Sequence, residues 1–553
     1  MKDPKGEVRN FARAYKYNLK PVALDRLAAF VEKYDAGDEY RRALLRDLFG
    51  LVCEQNCGNR LIDELTADAV IGVQEAKIRG FHSGDGTCSL VQVVSLDAVP
   101  RVSVDEVSND LRVGGAAAAA LNRLQCLNQR YLLARRRCLR CGLYQRSTDQ
   151  HSFRDGSMPL LPTSALEGLD AGLQIAVLGL LVERDGDVFL EDLRGEVRLR
   201  FSERSQVTQH CFVGNGFMVV ASGFWVNGAL HVARVDLPPA EQREATLRDV
   251  GASVDLFGLA PPDLAAAMRE EKKAVQSVVI VMAHVHLDKA STMHKLARFF
   301  ERMQGLSEAE LREVTFVFTG DFSSTPLHFG DASHLPDIFD SSDRLQTLLD
   351  GLGRCIATNA PAAAQHSQLV LIPGPRDMTA LQGFQPQTPI ATHFAKGLES
   401  RIKKLILAPN PCRLRFHTHE IIVARRDFLR DLQLGESRYP WDRYRSSVRS
   451  DAEPVQGSSL RAGAAATSFE RVAKTVLDEA HLFPGIDEAV LWRADDALRI
   501  PVLPHTLLLC DSTEQWECHY KGVHVINPGS FAVNGTFLWY TPADAQCSLS
   551  TVE

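Results

Sequence analysis

Four short segments in the C-terminal half of this 553-residue chain carry residue types, in an order, that could hold two metal ions over a phosphate. They are Ala283-His284-Val285-His286-Leu287-Asp288, Gly320-Asp321-Phe322-Ser323-Ser324, Pro373-Gly374-Pro375-Arg376-Asp377 and Cys510-Asp511-Ser512-Thr513-Glu514. A two-metal phosphoesterase sets acidic and imidazole ligands on loops after successive strands. Each metal polarises the phosphoryl group, and a bridging oxygen becomes the nucleophile. That chemistry asks for Asp-x-His after the first strand, Gly-Asp-x-x-Asp after the second and Gly-Asn-His-Asp/Glu after the third. A later histidine and a Gly-His-x-His complete the ligand set.

Most of those ligands are missing. His284 stands where the first Asp belongs, and His286 survives. Asp321 survives as the potential bridging carboxylate, but its partner position holds Ser324. Pro375 and Arg376 replace Asn and His, leaving Asp377, and both histidines of the last motif are lost at Ser512 and Glu514. A guanidinium at Arg376 neither ligates nor deprotonates, and it brings a fixed positive charge to a dication site. The expectation is a frame without catalytic residues, metal or cofactor, used as a binding platform. A rewired zinc site is the sharper alternative. His284-x-His286 and His417-x-His419 are i, i+2 pairs that share a face on strands and could meet if the strands adjoin. Two hydrogen-bonded, unmetallated pairs is the preferred reading.

The segments need strands to hold them. Buried-type apolar runs at Ser277–Met282, Thr315–Thr319, Gln368–Ile372, Thr506–Cys510 and Val523–Ile526 supply those, with amphipathic stretches between, as around Lys295–Met303. Residues 276–553 thus read as one α/β domain, interrupted by a surface loop at 445–467 and a shorter Ala-Pro one at 360–365. Before it, 172–238 alternates as five short strands with turns at Asp185-Gly186, Arg194-Gly195 and Asn227-Gly228, the pattern of an oligonucleotide/oligosaccharide-binding (OB) type barrel. Stacking platforms need exposed aromatics beside positive charge. Phe224 and Trp225 fit a core equally well, so the barrel reads as structural. A charged helical linker spans 239–275.

Residues 1–75 read as a separate helical bundle. Leu24, Leu27, Ala28 and Val31 form one stripe, followed by Ala43, Leu44 and Leu48, then Leu61, Leu65, Val70 and Val73; Pro21 suits a first helical turn. Residues 76–171 form a connector without persuasive period until Gly114-Gly115. There a long helix opens through an alanine run at 116–120, with Leu121, Leu124, Leu127 and Tyr131 near one face.

Composition narrows the function classes. A hydrophobic fraction of 45% with 24% charged residues is that of a soluble globular protein, and the formal net charge of −7 argues against a dedicated nucleic-acid coat. Arg135-Arg136-Arg137 with Arg140 is the best basic strip and reads as a solvated helix face. Twelve scattered cysteines fit a reducing compartment, and Cys138-x-x-Cys141 alone is half a zinc site at most. The polar start lacks a signal-peptide core, and no run reaches the ~18 apolar residues of a membrane span.

The degenerate segments resemble the B-subunit family of eukaryotic replicative DNA polymerases. The strand Leu369–Ile372 running into Pro373-Gly374-Pro375-Arg376-Asp377 carries the resemblance, with Asn410-Pro411-Cys412-Arg413-Leu414, Glu420-Ile421-Ile422-Val423 and Ile526-Asn527-Pro528-Gly529-Ser530-Phe531. The helical start, similar to an AAA+ lid from Phe11 to Val31, and the helix around Asn128-Gln129-Arg130-Tyr131 favour the epsilon branch. Coverage is nearly the whole chain, weakest at 76–115 and 445–470.

The resemblance implies an OB barrel joined to an inactivated calcineurin-like phosphoesterase, in a multidomain α+β protein without catalysis. It implies a nuclear accessory subunit that binds the C-terminal domain of the epsilon catalytic subunit. The N-terminal bundle would reach the replicative helicase complex, and DNA would be touched only within the holoenzyme. The alternatives are the same role in the delta or alpha polymerase and, further off, an active metallophosphoesterase. No basic cluster explains nuclear import, since Arg401-Ile402-Lys403-Lys404 is too short.

Overall fold

The computed structural model describes residues 4–33, 45–46, 48–49, 52, 61–68, 70–71, 91–114, 121–146, 157–250, 256, 261–327, 335–380, 382–444, 467–485 and 489–552. The chain divides into two units, Met1–Ser89 with Ser253–Arg269 and Leu90–Ala252 with Glu270–Glu553.

In the first unit, helices α1 (Pro4–Ala14) and α2 (Pro21–Lys33) bring Val8, Ala12, Leu24, Leu27, Ala28 and Val31 against Leu48 and Phe49. Pro21 opens α2, where a missing N–H costs nothing. The third expected stripe is corrected. Leu61–Ile62 is a short strand (β2) paired with Asn18–Leu19 (β1), and the helical period begins only after Asp63, whose carboxylate accepts from Thr66 N at 3.0 Å. Ile62, Ala67 and Val70 are therefore buried, while Leu65 is 80% exposed. Ala43, Leu44 and Val73 lie outside the described residues.

The second unit starts with β3 (Gln92–Val94) and a hairpin of β4 (Arg101–Val104) and β5 (Leu111–Gly114), all expected within a connector. Gly114 thus ends a strand rather than opening the long helix. That helix, α3 (Arg123–Arg140), begins where Asn122 forms a capping box with Gln125, so Leu121 precedes it and Leu124 faces out. Gly115 and the alanine run at 116–120 lie outside the described residues.

The barrel follows: β4 and β5 give way to β6 (Tyr144–Gln145) and β7 (Met158–Pro159), then to β8 (Gln174–Arg184), β9 (Asp187–Glu191), β10 (Glu196–Arg200), β11 (Gln206–Val207), β12 (Met218–Val226) and β13 (Ala229–Asp236). The ladder β10-β9-β8-β12-β13 closes on itself through a parallel β10–β13 pairing. Both central residues of the Asp185-Gly186 and Asn227-Gly228 turns have positive φ, as two-residue hairpins require. A bulge at Ser222/Gly223 bends β12, and a Cβ on Gly223 would lie 2.1 Å from His231 O. Trp225 packs on the barrel core, while Phe224 is exposed.

Helices α4 (Arg243–Val250) and α5 (Pro261–Lys273) lead into the α/β region. Two six-stranded sheets face each other. One holds β14 (Val278–Met282), β15 (Val314–Thr319), β16 (Gln368–Ile372) and β17 (Lys404–Leu407) in parallel, with the antiparallel pair β23 (Thr536–Thr541) and β24 (Gln546–Thr551). The other runs β21 (Trp516–Tyr520), β22 (Val523–Asn527), β20 (Thr506–Cys510), β19 (His419–Arg425), β18 (Cys412–Phe416) and β3.

Strict alternation explains why these strands are apolar on both faces. Val279, Val281, Val317, Val370 and Ile372 meet Ile421, Val423, Leu508 and Ile526 between the sheets. Ile280, Met282, Phe316 and Phe318 face outward to α6 (Ala290–Met303) and α7 (Leu335–Asn359). Residues 360–365, expected as a loop, are largely the helix α8 (Pro361–His366). Pro361 starts it and Ala363 and Ala364 are buried, so a proline at the first position marks a beginning here rather than a break. Helices α9 (Thr392–Glu399), α10 (Phe428–Ser437) and α11 (Ser468–Asp478) complete the layers. The expected loop at 445–467 lies outside the described residues except Thr467, which caps α11 with Glu470.

The outer face of the second sheet continues into the barrel. Ile422, Ala424, Leu507, Leu509 and Val525 share one apolar cluster with Val177, Leu181, Val219 and Val235. The segment between β11 and β12 is stitched to α10 and α11. Phe212 N donates to Thr475 Oγ1 at 2.9 Å, Val213 N to Glu436 Oε1 at 3.1 Å and Met218 N to Glu479 Oε2 at 3.1 Å.

The arginines of α3 correct the expectation of a solvated face. Arg130, Arg136 and Arg137 are 3–4% exposed. Arg137 Nη1 donates to Leu477 O at 3.1 Å and Asp478 O at 3.4 Å, capping the C-terminal carbonyls of α11, and its Nη2 donates to Ile500 O at 3.2 Å. Arg130 bonds Pro484 O and faces Glu479, Arg136 bonds Asn109 O, and Arg140 pairs with Glu241. Backbone carbonyls, invisible in sequence, use up the charge that looked free. Cys138 and Cys141 sit at the end of this helix. Among the described residues no helix is long and apolar enough to cross a membrane.

Candidate functional site

The four singled-out segments converge at the C-terminal ends of β14, β15, β16 and β20, where the last residue of β19 joins them. Glycines let the loops approach closely. A Cβ on Gly320 would lie 1.8 Å from Asp377 Oδ2, and one on Gly374 2.3 Å from Asp321 Oδ1.

Asp321 is the hub. Its Oδ1 accepts Arg376 N at 2.9 Å, and its Oδ2 accepts Arg376 Nε at 2.8 Å and Arg425 Nη2 at 3.3 Å. His284 Nε2 lies 3.7 Å from Oδ2, and its Nδ1 is 3.0 Å from Ser530 Oγ. Burial raises the Asp321 carboxyl, but the His284 contact, the Arg425 charge and the Arg376 bonds outweigh it and hold it well below the carboxylate range. Asp377, fully buried, accepts Phe322 N and Gly374 N, both at 2.8 Å. Burial and the nearby Asp321 charge push it the other way, upward.

Arg425 is the residue that sequence reasoning missed. It is 1% exposed, and its guanidinium donates to Gly320 O at 2.9 Å, Asp427 Oδ1 at 3.0 Å, Cys510 O at 3.3 Å and Asp321 Oδ2. One side chain thereby ties the loops after β15, β19 and β20. Its signal was available: Arg425 ends the apolar run Ile421–Ala424, as Asp321 follows the run ending at Thr319.

The remaining singled-out positions are spent on structure. Ser324 donates through N and Oγ to Asp288, at 2.8 and 2.6 Å, and Arg344 reaches the same carboxylate at 3.2 Å. Pro375 is half-buried beside Arg376. Asp511 accepts Leu429 N and Thr513 N, at 2.9 and 3.1 Å, and Ser512 bonds Asp427. The Glu514 side chain is exposed, while its carbonyl accepts Asn527 Nδ2 at 2.9 Å. His286 is buried beside His284, ring centroids 4.3 Å apart, with neither ring nitrogen hydrogen-bonded. Burial and the neighbouring His284 push its pKa down to about 4.

The two histidine pairs do not meet. His284 and His417 both have positive φ and sit in turns, not on a strand face. His419 opens the seven-residue β19, whose other end, Arg425, is at the site. At roughly 3.3 Å per residue that is about 20 Å away. His419 Nε2 is hydrogen-bonded within 3.0 Å of Thr506 Oγ1 and Tyr540 Oη.

Among the described residues at this site, His284, His286 and Asp321 bring ligand-type atoms within 4.8 Å of one another. A dication on Asp321 Oδ2 would stand roughly 4 Å from two fixed guanidinium groups. At an effective dielectric of about 20, the buried Arg425 repels it by on the order of 8 kcal/mol, and the half-exposed, solvent-screened Arg376 adds less. Asp321 already has its cations and Asp377 is engaged by backbone N–H groups, so the donor set does not fit a dinuclear centre.

Residues 279–518 match the family described as the B subunit of DNA polymerase alpha/epsilon, and residues 120–239 match the OB-fold domain described as DNA polymerase epsilon subunit 2-like. The chain is 26% identical over 559 residues to the B subunit of DNA polymerase epsilon from Arabidopsis thaliana, covering 97% of this chain and 96% of the plant protein. It is 28% identical over 428 residues to the Schizosaccharomyces pombe protein of the same name, covering 75% and 67%. Against DNA polymerase epsilon subunit 2 of Homo sapiens it is 27% identical over 371 residues, covering 65% and 62%.

Proposed function

The chain belongs to the B-subunit family of DNA polymerases alpha and epsilon, and on that premise we propose that it is a non-catalytic accessory subunit of a nuclear DNA polymerase epsilon complex. The observation that carries the non-catalytic reading is the occupation of Asp321 by Arg376 and Arg425. Organic monocations fixed by the fold neutralise the carboxylate that would otherwise bridge two metals, so no metal-bound nucleophile forms there.

The barrel and the sandwich, a calcineurin-like frame, share one core and present a single broad platform. That suits an obligate interface, which can bury more than ~2,000 Å². Its partner in this reading is the C-terminal domain of the epsilon catalytic subunit. The N-terminal helical unit, AAA+ lid-like in its opening helices, forms its own core and serves as a tethered module towards the replicative helicase complex. DNA is met only within the holoenzyme. Tagged full-length protein isolated from its own cells should bring down the epsilon catalytic subunit in stoichiometric amount. Recovery of the delta or alpha catalytic subunit instead would move the chain to another branch.

A further inference from the structure

A second group of ligand-type side chains lies on the open side of the sandwich, where β21 and β24 are the edge strands of the two sheets. Glu517 and His519 leave β21 on one face. His524 stands opposite His519 on β22, and Cys547 reaches across from β24. The Cys547 thiol donates to Glu517 Oε2 at 2.6 Å, His524 Nε2 is 3.0 Å from that oxygen, and Sγ is 3.8 Å from Nε2. All three donor atoms fall within 4.8 Å of one another.

Two further observations distinguish this group from a chance surface cluster. The His524 side chain is 7% exposed, and its Nε2 is aimed at Glu517 Oε2 and Cys547 Sγ. The His519 ring stacks on it, centroids 4.1 Å apart and planes at 19°, which fixes the plane of the imidazole. A thiol, an imidazole and a carboxylate are the donors Zn²⁺ takes. In a tetrahedral site with Zn–S of about 2.3 Å and Zn–N of about 2.0 Å, donor atoms stand roughly 3.5 Å apart. Cys547 and His524 already have nearly that spacing. Only Glu517, on the exposed edge strand, has to swing outward by about 1 Å to match it.

We propose that Glu517, His524 and Cys547 bind one Zn²⁺, with water in the fourth position, as a staple joining the edges of the two sheets. On binding, the thiol gives its proton to solvent and the thiolate, the neutral imidazole and the carboxylate donate to the metal, with no change of oxidation state. The site is separate from the carboxylate cluster around Asp321, and its role is structural.

Full-length protein is stripped with a chelator and titrated with ZnCl₂ against a chromophoric competitor, with the metal content measured by mass spectrometry. One ion per chain is expected. Cys547→Ser and His524→Ala should each weaken binding by about 100-fold or more, beyond the roughly 10–100-fold that losing a support group costs, and Glu517→Gln by about 10-fold. Substitution by Co²⁺ should give a thiolate charge-transfer band that Cys547→Ser abolishes. Glu517→Gln, on an exposed edge, keeps the test decisive if His524→Ala does not fold. Absence of stoichiometric uptake, or uptake unchanged in Cys547→Ser and Glu517→Gln, would overturn the assignment.

Discussion

Replacing Arg425 by methionine tests whether its guanidinium holds the loops around Asp321 together. The substitution keeps most of the apolar stem but removes donors to Gly320 O, Cys510 O, Asp427 and Asp321. Asp321 keeps its bonds from Arg376, yet it loses a fully buried counter-charge, and two buried carbonyls lose partners. Breaking a buried pair from one side costs about 3–5 kcal/mol. At roughly 2 °C per kcal/mol, the low end suited to a large unit, the transition should fall by about 6–10 °C. Calorimetry on the full chain, following the transition of the larger unit, reads this directly. Arg425→Lys should recover part of the loss, because it restores charge without the planar fork. Adding Asp321→Asn to Arg425→Met should cost less than the two separate losses combined, since the carboxylate left without its buried counter-charge is then gone. A Tm for Arg425→Met within 1–2 °C of wild type (under about 1 kcal/mol) would refute the reasoning.

Asn122→Ala removes the capping box of α3 and should cost about 1 kcal/mol, read as a small shift in the urea midpoint. Acidification should act through buried histidines. Burial lowers His505 to about 2, and its Nδ1 accepts Glu420 N at 3.0 Å, a bond that needs the neutral ring. The unfolded chain takes up this proton near 6.5, so stability present above that pH is lost as pH falls towards 2. Glu479, pushed up to about 8 by burial, works in the opposite direction between 4.5 and 8. The measurement is therefore the difference: His505→Gln should lose less stability than wild type between pH 7 and pH 5. Deleting residues 1–75 should leave the catalytic partner bound and weaken helicase association in pull-downs; release of the catalytic partner would contradict the tether.

The parts legible in sequence were those whose signal is local. Phe316, Leu371 and Leu508 sit in apolar runs that end at Gly, Pro or Asp, and Ile280 in one that ends at His284, so these strands and the loops after them were readable without partners. The barrel turns announced themselves through Asp-Gly and Asn-Gly. Non-local features were hidden. Gln92–Val94 is short, and the strand it pairs with, Cys412–Phe416, lies some 320 residues on. Arg136 and Arg137 have a solvated composition but bond to carbonyls that folding brings to them. At the site, the segments carrying His284, Asp321 and Arg376 could be picked out from the motif spacing, and the fold brings those side chains together. Arg425 could be placed at the end of its apolar run, but its meeting with Asp321 could not be read, because its strand belongs to the other sheet and only the sandwich brings the two together.

Assembly with the polymerase is tested most directly by one reconstitution. The full chain is co-expressed with the epsilon catalytic subunit of the same organism, and the mass of the purified complex is measured by light scattering. The expected result is a single 1:1 species that survives size exclusion. Two components eluting apart, each at its own monomer mass, would contradict it.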